Sequence, residues 1–378
     1  MDNASKLERL TKFWDQDPTN LSLCADIIAE CAVQKNESYL RQFYLSLNPE
    51  ISKLPQIVWQ YGRSLVELGK IVEGAEEFAK LPDDGSETKP YSIALCLFLQ
   101  AKFIEANSTI DNYVSTIGKY SSVQLMLLHA KVNYHLGELE VALTLAKQIH
   151  QQLGKQSSSH AELLGLLAML HFDLTHIEES LAYAKQLLET SPKHHDGLLA
   201  LASIHAYKQE LEQAISVANT GVSEFSNSGR MWSVLAQALF AMGDREAAYN
   251  CVVNATKLMP NHIGTWHVRA WCELVNGDIQ SASSSFHSAL AINRNFGDSH
   301  AGLALVAFTE QKYDEAKRIL IVAQRLDPNS VTAKYVESLL LSRLGKEQDA
   351  EQMLDTLLEQ PSHLTGLSYK QLISAINR

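Results

Sequence analysis

Histidine is the residue type in this sequence best suited to metal binding or acid–base chemistry, with 14 copies among 378 residues. A zinc or iron site requires three or four such ligands that converge at a fixed geometry. The candidate ligands are spread loosely along the chain: His171 with His176, His194 and His195 with Asp196, His262 with His267, and the isolated His300. Cys24 and Cys31 lie seven residues apart, on one face of a predicted helix. We interpret each of these residues as structural and predict neither a metal site nor a cofactor.

The short motifs that mark common catalytic sites are missing from the sequence. It contains no GxxxxGK, HExxH, GxSxG or paired CxxC pattern, and no GxGxxG after a strand. It also has no strand-rich segment that could form an open α/β site. The sequence therefore predicts a protein without catalytic activity.

The charge balance and the apolar pattern argue against two classes of partner. The chain has 32 basic and 43 acidic residues and a net charge of −11, whereas nucleic-acid binding rests on clustered Lys and Arg. No run of about 18 apolar residues is present to span a bilayer, and residues 1–10 lack the apolar core of a signal peptide. The five cysteines are scattered and odd in number, which favours a reduced protein. We expect a cytoplasmic protein that binds no nucleic acid and inserts in no membrane.

An internal repeat indicates which elements position the polar and aromatic side chains. In the segment that starts at Gly229, large residues such as Trp232 alternate with small ones such as Ala236 and Ala248, and Pro260 ends the segment. Shifts of 34 residues place similar residue types at the equivalent positions: Trp266, Ala270, Gly277, Ala282, Phe286 and Ala289, then Leu303, Ala304, Ala316, Leu320, Ala323 and Pro328, and upstream Leu201, Ala202, Ala214, Leu167, Ala168 and Pro192. Such a period indicates stacked supersecondary units that share one core.

This pattern resembles the tetratricopeptide repeat (TPR), whose signature is W-x2-L-G-x2-Y followed by A-x3-F and a final A and P. The sequence departs from the signature at several positions: Ala236 replaces the glycine, Arg294 stands where a proline is expected, and His171 and His205 occupy the tyrosine position. The resemblance implies an all-α protein, a TPR-type α-solenoid in which antiparallel helix pairs form a right-handed superhelix. Small residues then lie where the two helices of a pair cross, because interaxial distances of about 8–10 Å leave no room for long side chains.

The fidelity of the repeat suggests how the chain is organised. We predict an N-terminal capping helix in residues 1–19, degenerate TPR-like units in 20–160, a regular TPR array in 161–364 and a C-terminal capping helix in 365–378. Two polar stretches, 82–90 and 154–160, interrupt the period. We interpret them as surface loops within one continuous superhelix; the alternative is a solenoid divided into blocks 1–82, 90–153 and 160–378.

The resemblance also implies where a partner binds. In TPR proteins the first helix of each unit lines the concave face, and its second, fifth, ninth, twelfth and thirteenth residues contact the ligand. The residues expected at this groove are Met169, Tyr207, Arg230, Gln237, Phe240, His267, Trp271, Asp298, Leu305 and Phe308. Aromatic residues on such a face are typical binding hot spots. The alternative for Phe172, Phe240 and Phe308 is that they pack in the core.

The ninth residues of the first helices exclude one known type of TPR partner. A clamp for the C-terminal carboxylate of chaperones needs Asn there and cations at the second and fifth positions, but the ninth residues are Lys131, Met169, Ser203, Gln237, Trp271 and Leu305. We therefore expect a non-catalytic scaffold or adaptor that binds a peptide or another protein, and not a chaperone tail. The alternatives are a peptide-sensing regulator and a substrate-recruiting subunit of a separate enzyme.

Ala248→Arg and Ala316→Arg are each expected to lower the melting temperature of the protein. Both alanines lie at predicted helix crossings, where overpacking costs about 1–3 kcal/mol before the burial of a charge is counted. Thermal melts of the two variants and the parent test this expectation. A variant that melts with the parent would show that the register of the repeats is wrong.

Overall fold

The computed structural model describes residues 6–152 and 160–358, and these residues form 22 α-helices and no β-strand. The prediction of an all-α protein is confirmed. The chain divides into two compact units, residues 1–163 and 164–378. The predicted C-terminal capping helix at 365–378 lies outside the described residues.

The first unit begins with a helix that packs into its core. Leu7 of this helix lies in one apolar cluster with Cys24, Ile27 and Leu40. Polar caps start several helices, as when the side chain of Asn20 accepts a hydrogen bond from the Leu23 N–H at 3.1 Å. The helices of this unit are α1 (Lys6–Gln16), α2 (Leu21–Val33), α3 (Glu37–Ser46), α4 (Pro49–Ser52), α5 (Pro55–Glu67), α6 (Ile71–Ala79), α7 (Thr88–Leu99), α8 (Phe103–Ile117), α9 (Val123–Leu136) and α10 (Leu139–Gln152).

One of the two predicted interruptions of the repeat overlaps a connection between helices. The connection between α6 and α7 covers residues 80–87 and so overlaps the predicted loop at 82–90. Of the loop predicted at 154–160, only His160 is among the described residues, and it begins α11 (His160–Asp173). The boundary between the two units falls in the first turn of α11.

The second unit is a regular series of helix pairs. The first helices of five consecutive pairs begin at residues 195, 229, 263, 297 and 331, which are 34 residues apart. The helices are α12 (Ile177–Thr190), α13 (His195–Tyr207), α14 (Leu211–Glu224), α15 (Gly229–Met242), α16 (Arg245–Leu258), α17 (Ile263–Val275), α18 (Ile279–Ile292), α19 (Gly297–Thr309), α20 (Tyr313–Leu326), α21 (Val331–Arg343) and α22 (Glu347–Leu358). The 34-residue period of the sequence is thus the period of the helices.

Small residues lie at the contacts within and between the pairs, as the repeat predicts. Ala236 on α15 and Ala248 on α16 are both completely buried. At Gly302 on α19, a Cβ atom would lie 2.3 Å from the ring of Phe286, so the close approach of α18 and α19 depends on the absence of a side chain there. Side chains at these positions therefore set the spacing of the helices.

A recurring hydrogen bond fixes the entry to the first helix of three consecutive pairs. The indole Nε1 of Trp232 donates to the Ser226 carbonyl at 2.9 Å, and that of Trp266 donates to the Pro260 carbonyl at 2.7 Å. In the next pair Nε2 of His300 donates to the Arg294 carbonyl at 2.9 Å. His300, the isolated histidine of the sequence, therefore makes the hydrogen bond that a tryptophan makes in the two preceding pairs, and its Nε2 carries a proton.

The turn between the two helices of a pair requires a left-handed residue. Gly243, Gly277 and Gly345 fill this position with positive φ. In other pairs the equivalent residue has a side chain: φ is 62° at Thr175, 64° at Gln209 and 64° at Gln311. Residues other than glycine adopt this conformation at a cost, which is greatest for a β-branched residue such as Thr175.

Three of the predicted groove residues are buried, contrary to expectation. Met169, His267 and Leu305 are only 3%, 4% and 8% exposed. Leu305 packs in an apolar cluster with Ala301 and Val336. Met169 lies in a stretch of α11 that is buried on every side. These side chains hold the repeats together and are not available to a ligand.

His267 shows that a polar residue at a predicted groove position can be buried in the core. Its ring meets those of Phe286 and Phe296 edge to face at 5.4 and 5.3 Å, and its Nε2 forms a 2.7 Å hydrogen bond with Oγ of Ser299. Burial lowers the pKa of His267 from 6.5 to about 4. The residue is therefore a neutral core histidine with one satisfied ring nitrogen.

Thr175→Gly is expected to stabilise the protein by about 1 kcal/mol, because glycine adopts positive φ without steric cost. Gln311→Gly should act in the same direction, by less. The reverse change, Gly277→Ala, should destabilise the protein by a similar amount; the new Cβ would meet no atom within 4 Å, so only the backbone conformation is tested. Urea unfolding measures all three variants. A loss of stability in Thr175→Gly would refute the assigned turn.

The protein is expected to lose stability as the pH falls from about 6.5 to about 4, in part because of His267. The folded state holds this ring neutral while the unfolded state takes up a proton, so between pH 7 and pH 5 the residue alone costs about 1–2 kcal/mol. His267→Gln should show a correspondingly smaller change in the free energy of unfolding between these two pH values. His287, exposed on α18, offers the matched control His287→Gln, which should keep the full change. Identical pH dependence in both variants would contradict a buried neutral His267.

Candidate functional site

The second unit contains a cavity of about 340 Å³, whose lining comes mainly from the first helices of consecutive pairs. We call it the second-unit cavity. Many of its lining residues are separated by 34 positions: Asp173, Tyr207 and Ala241; Ser203 and Gln237; Arg230 and Gly264; Val234 and Val268. The period that builds the fold therefore also brings equivalent side chains from α11, α13, α15 and α17 to one wall.

Three of the ten predicted groove residues line this cavity: Tyr207, Arg230 and Gln237. Tyr207 ends α13 and is 46% exposed, which is high for a large aromatic side chain. Gln237 is half-buried, and its Nε2 donates to the carbonyl and to Oγ of Ser233, both at 3.2 Å. The lining thus offers an exposed ring next to an amide and a hydroxyl.

A pair of opposite charges lies at the cavity. Nη2 of Arg230 is 3.9 Å from Oδ2 of Asp173, and the two side chains are 45% and 28% exposed. An ion pair of this length and exposure contributes little to stability. It does mean that the guanidinium faces a carboxylate across the lining, so the cavity has no strong net positive charge.

His262 also lines the cavity and was not predicted there. Its Nδ1 accepts hydrogen bonds from the N–H of Thr265 at 3.1 Å and from Oγ of Thr265 at 2.8 Å, which caps the start of α17. Burial, and secondarily the charge of Arg230, lowers the pKa of His262. The ring is therefore neutral with its proton on Nε2. The only sequence signal was its position, which is occupied by the capping residues Ser228 and Ser330 in other pairs.

Four other predicted residues lie away from this cavity and are partly covered. Trp271 packs against the cluster around Ala301 and Leu305. The ring of Phe308 meets that of Tyr313 at 5.4 Å, edge to face, and Asp298 accepts a short hydrogen bond from Oγ of Ser330. Phe240 is half-buried on α15. The structure does not bring these four residues together with Tyr207 and Arg230. Met169, His267 and Leu305 lie in the core, as described above.

The remaining histidine candidates take part in local contacts. His171 is buried and stacks on Tyr183 at 5.5 Å, and His205 forms a short hydrogen bond with Glu210. His195 is half-buried, between Asp196 and Ser228, each at 2.7 Å. Within residues 6–152 and 160–358, no group of three or more His, Cys, Asp or Glu is arranged to hold a metal ion. In the same residues no helix has the length and apolar character needed to cross a membrane.

Comparison with known proteins identifies the repeat. Residues 166–229 match the family model for the tetratricopeptide repeat. The crystal structure of the APC/C hetero-tetramer Cut9–Hcn1 superposes with a TM-score of 0.62 over 98% of this chain and 72% of that chain, at 16% sequence identity. At this identity the likeness establishes the fold alone.

Two sequence relatives extend the comparison. The BBSome complex member BBS4 of Mus musculus is 23% identical over 297 residues, which cover 77% of this chain and 55% of the mouse protein. Cellulose synthase 1 operon protein C of Komagataeibacter xylinus is 24% identical over 224 residues, or 55% of this chain and 17% of that protein. The chain thus spans about half the length of the mouse protein and a smaller part of the bacterial one. The helix period, the family match over residues 166–229 and the shared fold together show that the chain contains tetratricopeptide repeats and has an all-α solenoid fold.

Proposed function

We propose that the chain is a non-catalytic scaffold or adaptor that binds a peptide or a segment of another protein in the second-unit cavity. The observation that carries the proposal is the convergence of Tyr207, Arg230 and Gln237 on one cavity, from positions at which TPR proteins contact their ligands. The volume of about 340 Å³ lies at the lower end of the range found for pockets that bind small molecules. A few side chains of an extended segment would fill it.

The lining favours a peptide segment that has both apolar side chains and uncharged hydrogen-bonding groups. Tyr207 provides an exposed apolar ring with a polar tip, and such residues dominate the energetics of interfaces. The amide of Gln237 and the hydroxyl of Ser203 can exchange hydrogen bonds with the backbone of an extended peptide. Asp173 offsets the charge of Arg230, so the cavity suits an uncharged anchor better than a terminal carboxylate.

Further observations support a protein partner in the cytoplasm. The net charge of −11 disfavours nucleic acid, and the five cysteines are all buried as free thiols. The mouse relative is named as a member of a complex, and the structural neighbour was solved as a hetero-tetramer. We propose a cytoplasmic assembly role on this basis, in which the chain binds another protein and neither nucleic acid nor membrane.

Selection of peptides from a random displayed library on the full-length chain tests the proposal. Peptides that bind the parent are expected to lose at least about tenfold in affinity for the double variant Tyr207→Ala plus Arg230→Gln, because hot-spot truncations cost about 2 kcal/mol or more. Fluorescence anisotropy with the selected peptides measures the loss.

The double variant Ile321→Ala plus Arg318→Gln is the matched control. Ile321 is 42% exposed and Arg318 is exposed on the same helix, α20, which does not line the cavity. This control should bind as the parent does. Selected peptides that bind both double variants equally well would disprove a site at the second-unit cavity, as would a library that yields no peptide.

A further inference from the structure

The first unit has a cavity of its own, of about 580 Å³, which we call the first-unit cavity. It lies among the start of α5, the connection that follows α6, and the start of α7. Its lining includes Trp59 of α5, Pro82 of the connection, and Glu87 and Tyr91 at the start of α7. The connection is the polar stretch that breaks the repeat period, so this site has no equivalent at the 34-residue spacing.

Glu87 gives this cavity an uncompensated negative charge. The residue precedes the first turn of α7, yet its side chain forms no capping hydrogen bond. Its Oε2 is out of contact with solvent and has no hydrogen-bond partner among the described residues. Glu87 as a whole is half-buried, but a buried acceptor atom without a partner is unfavourable, and a donor or cation placed beside it would relieve that cost.

The neighbouring charges do not neutralise Glu87. Lys89, the lysine of the lining, already pairs with Asp83, at 3.0 Å between Nζ and Oδ1. Asp84 adds a second carboxylate to the lining. The pKa of the Tyr91 hydroxyl is raised, first by burial and then by the carboxylates of Glu162 and Glu87. The potential in the cavity is therefore negative, and it complements a cation.

The aromatic side chains add a second reason for a cationic ligand. Trp59 and Tyr91 are both half-buried and border the cavity. The guanidinium of Arg63 already lies 5.5 Å from the centre of the Trp59 ring. A guanidinium or ammonium group gains about 0.5–2 kcal/mol from such a ring. A carboxylate close to aromatic surfaces is the combination that holds arginine side chains at interfaces.

We propose that the first-unit cavity binds an arginine or lysine side chain of a partner protein segment, with Glu87 as its counter-ion and Trp59 and Tyr91 as the aromatic walls. The site is separate from the second-unit cavity and has a different preference, since it selects for positive charge whereas the second-unit cavity suits an uncharged anchor. A partner that uses it carries a basic residue in an exposed, accessible segment.

Fluorescence anisotropy with three labelled heptapeptides tests the proposal on the full-length chain. The acetylated and amidated probes are Ser-Ala-Leu-Arg-Leu-Ala-Ser and the same peptide with citrulline or glutamate in place of arginine. We expect the arginine peptide to bind about tenfold more tightly than the citrulline peptide, because only the guanidinium forms a charge-assisted hydrogen bond. In Glu87→Gln this preference should fall to about twofold or less.

Two controls keep the outcome specific. Glu105→Gln removes the same charge from an exposed position on α8 and should leave the preference unchanged. The Tyr207→Ala plus Arg230→Gln variant should also keep it, so that failure at one cavity is distinguished from failure at the other. Equal affinity for arginine and citrulline, equal effects of the two Glu→Gln changes, or no binding of the arginine peptide at about 1 mM would each overturn the proposal.

Discussion

The close approach of paired helices is the constraint on which the rest of the structure depends. Ala236 on α15 and Ala248 on α16 are both fully buried, and Gly302 allows Phe286 to fill the space between α18 and α19. A larger side chain at any of these positions would force the helices apart, because interiors are packed to near-crystalline density. Each pair leaves an apolar surface that only the next pair can cover. Stacking is therefore a consequence of the small residues.

The same constraint produces the candidate binding site. Because successive first helices repeat every 34 residues, the side chains of Asp173, Tyr207 and Ala241 arrive at equivalent places on one wall. No single helix forms the second-unit cavity, and no residue in it is unusual by itself. The site arises from differences between repeats at positions that the fold leaves free. The first-unit cavity arises differently, where the polar connection after α6 interrupts the period.

The helix pattern was predictable from the sequence because it depends on local residue types that recur at a fixed interval. The site was only partly predictable. Tyr207, Arg230 and Gln237, which were chosen by position along the helix, line one cavity, but whether a side chain at such a position reaches solvent depends on its neighbours. His267 is enclosed by Phe286 and, from the adjoining pair, by the ring of Phe296 and the hydroxyl of Ser299, which no pattern in its own helix reveals. Glu87, on which the proposed cation site depends, is a different case, because a single acidic residue in an irregular connection carries no periodic signal.

Gln209 illustrates a conflict between the two roles of a repeat. It occupies the left-handed turn position at which Gly243 and Gly277 lie in later pairs, with φ of 64°. Its side chain donates from Nε2 to the Ala206 carbonyl at 3.2 Å and forms part of the wall of the second-unit cavity. Glycine would relax this backbone but would remove that part of the wall. Backbone geometry thus favours glycine at this place, whereas the proposed binding site uses the side chain of Gln209.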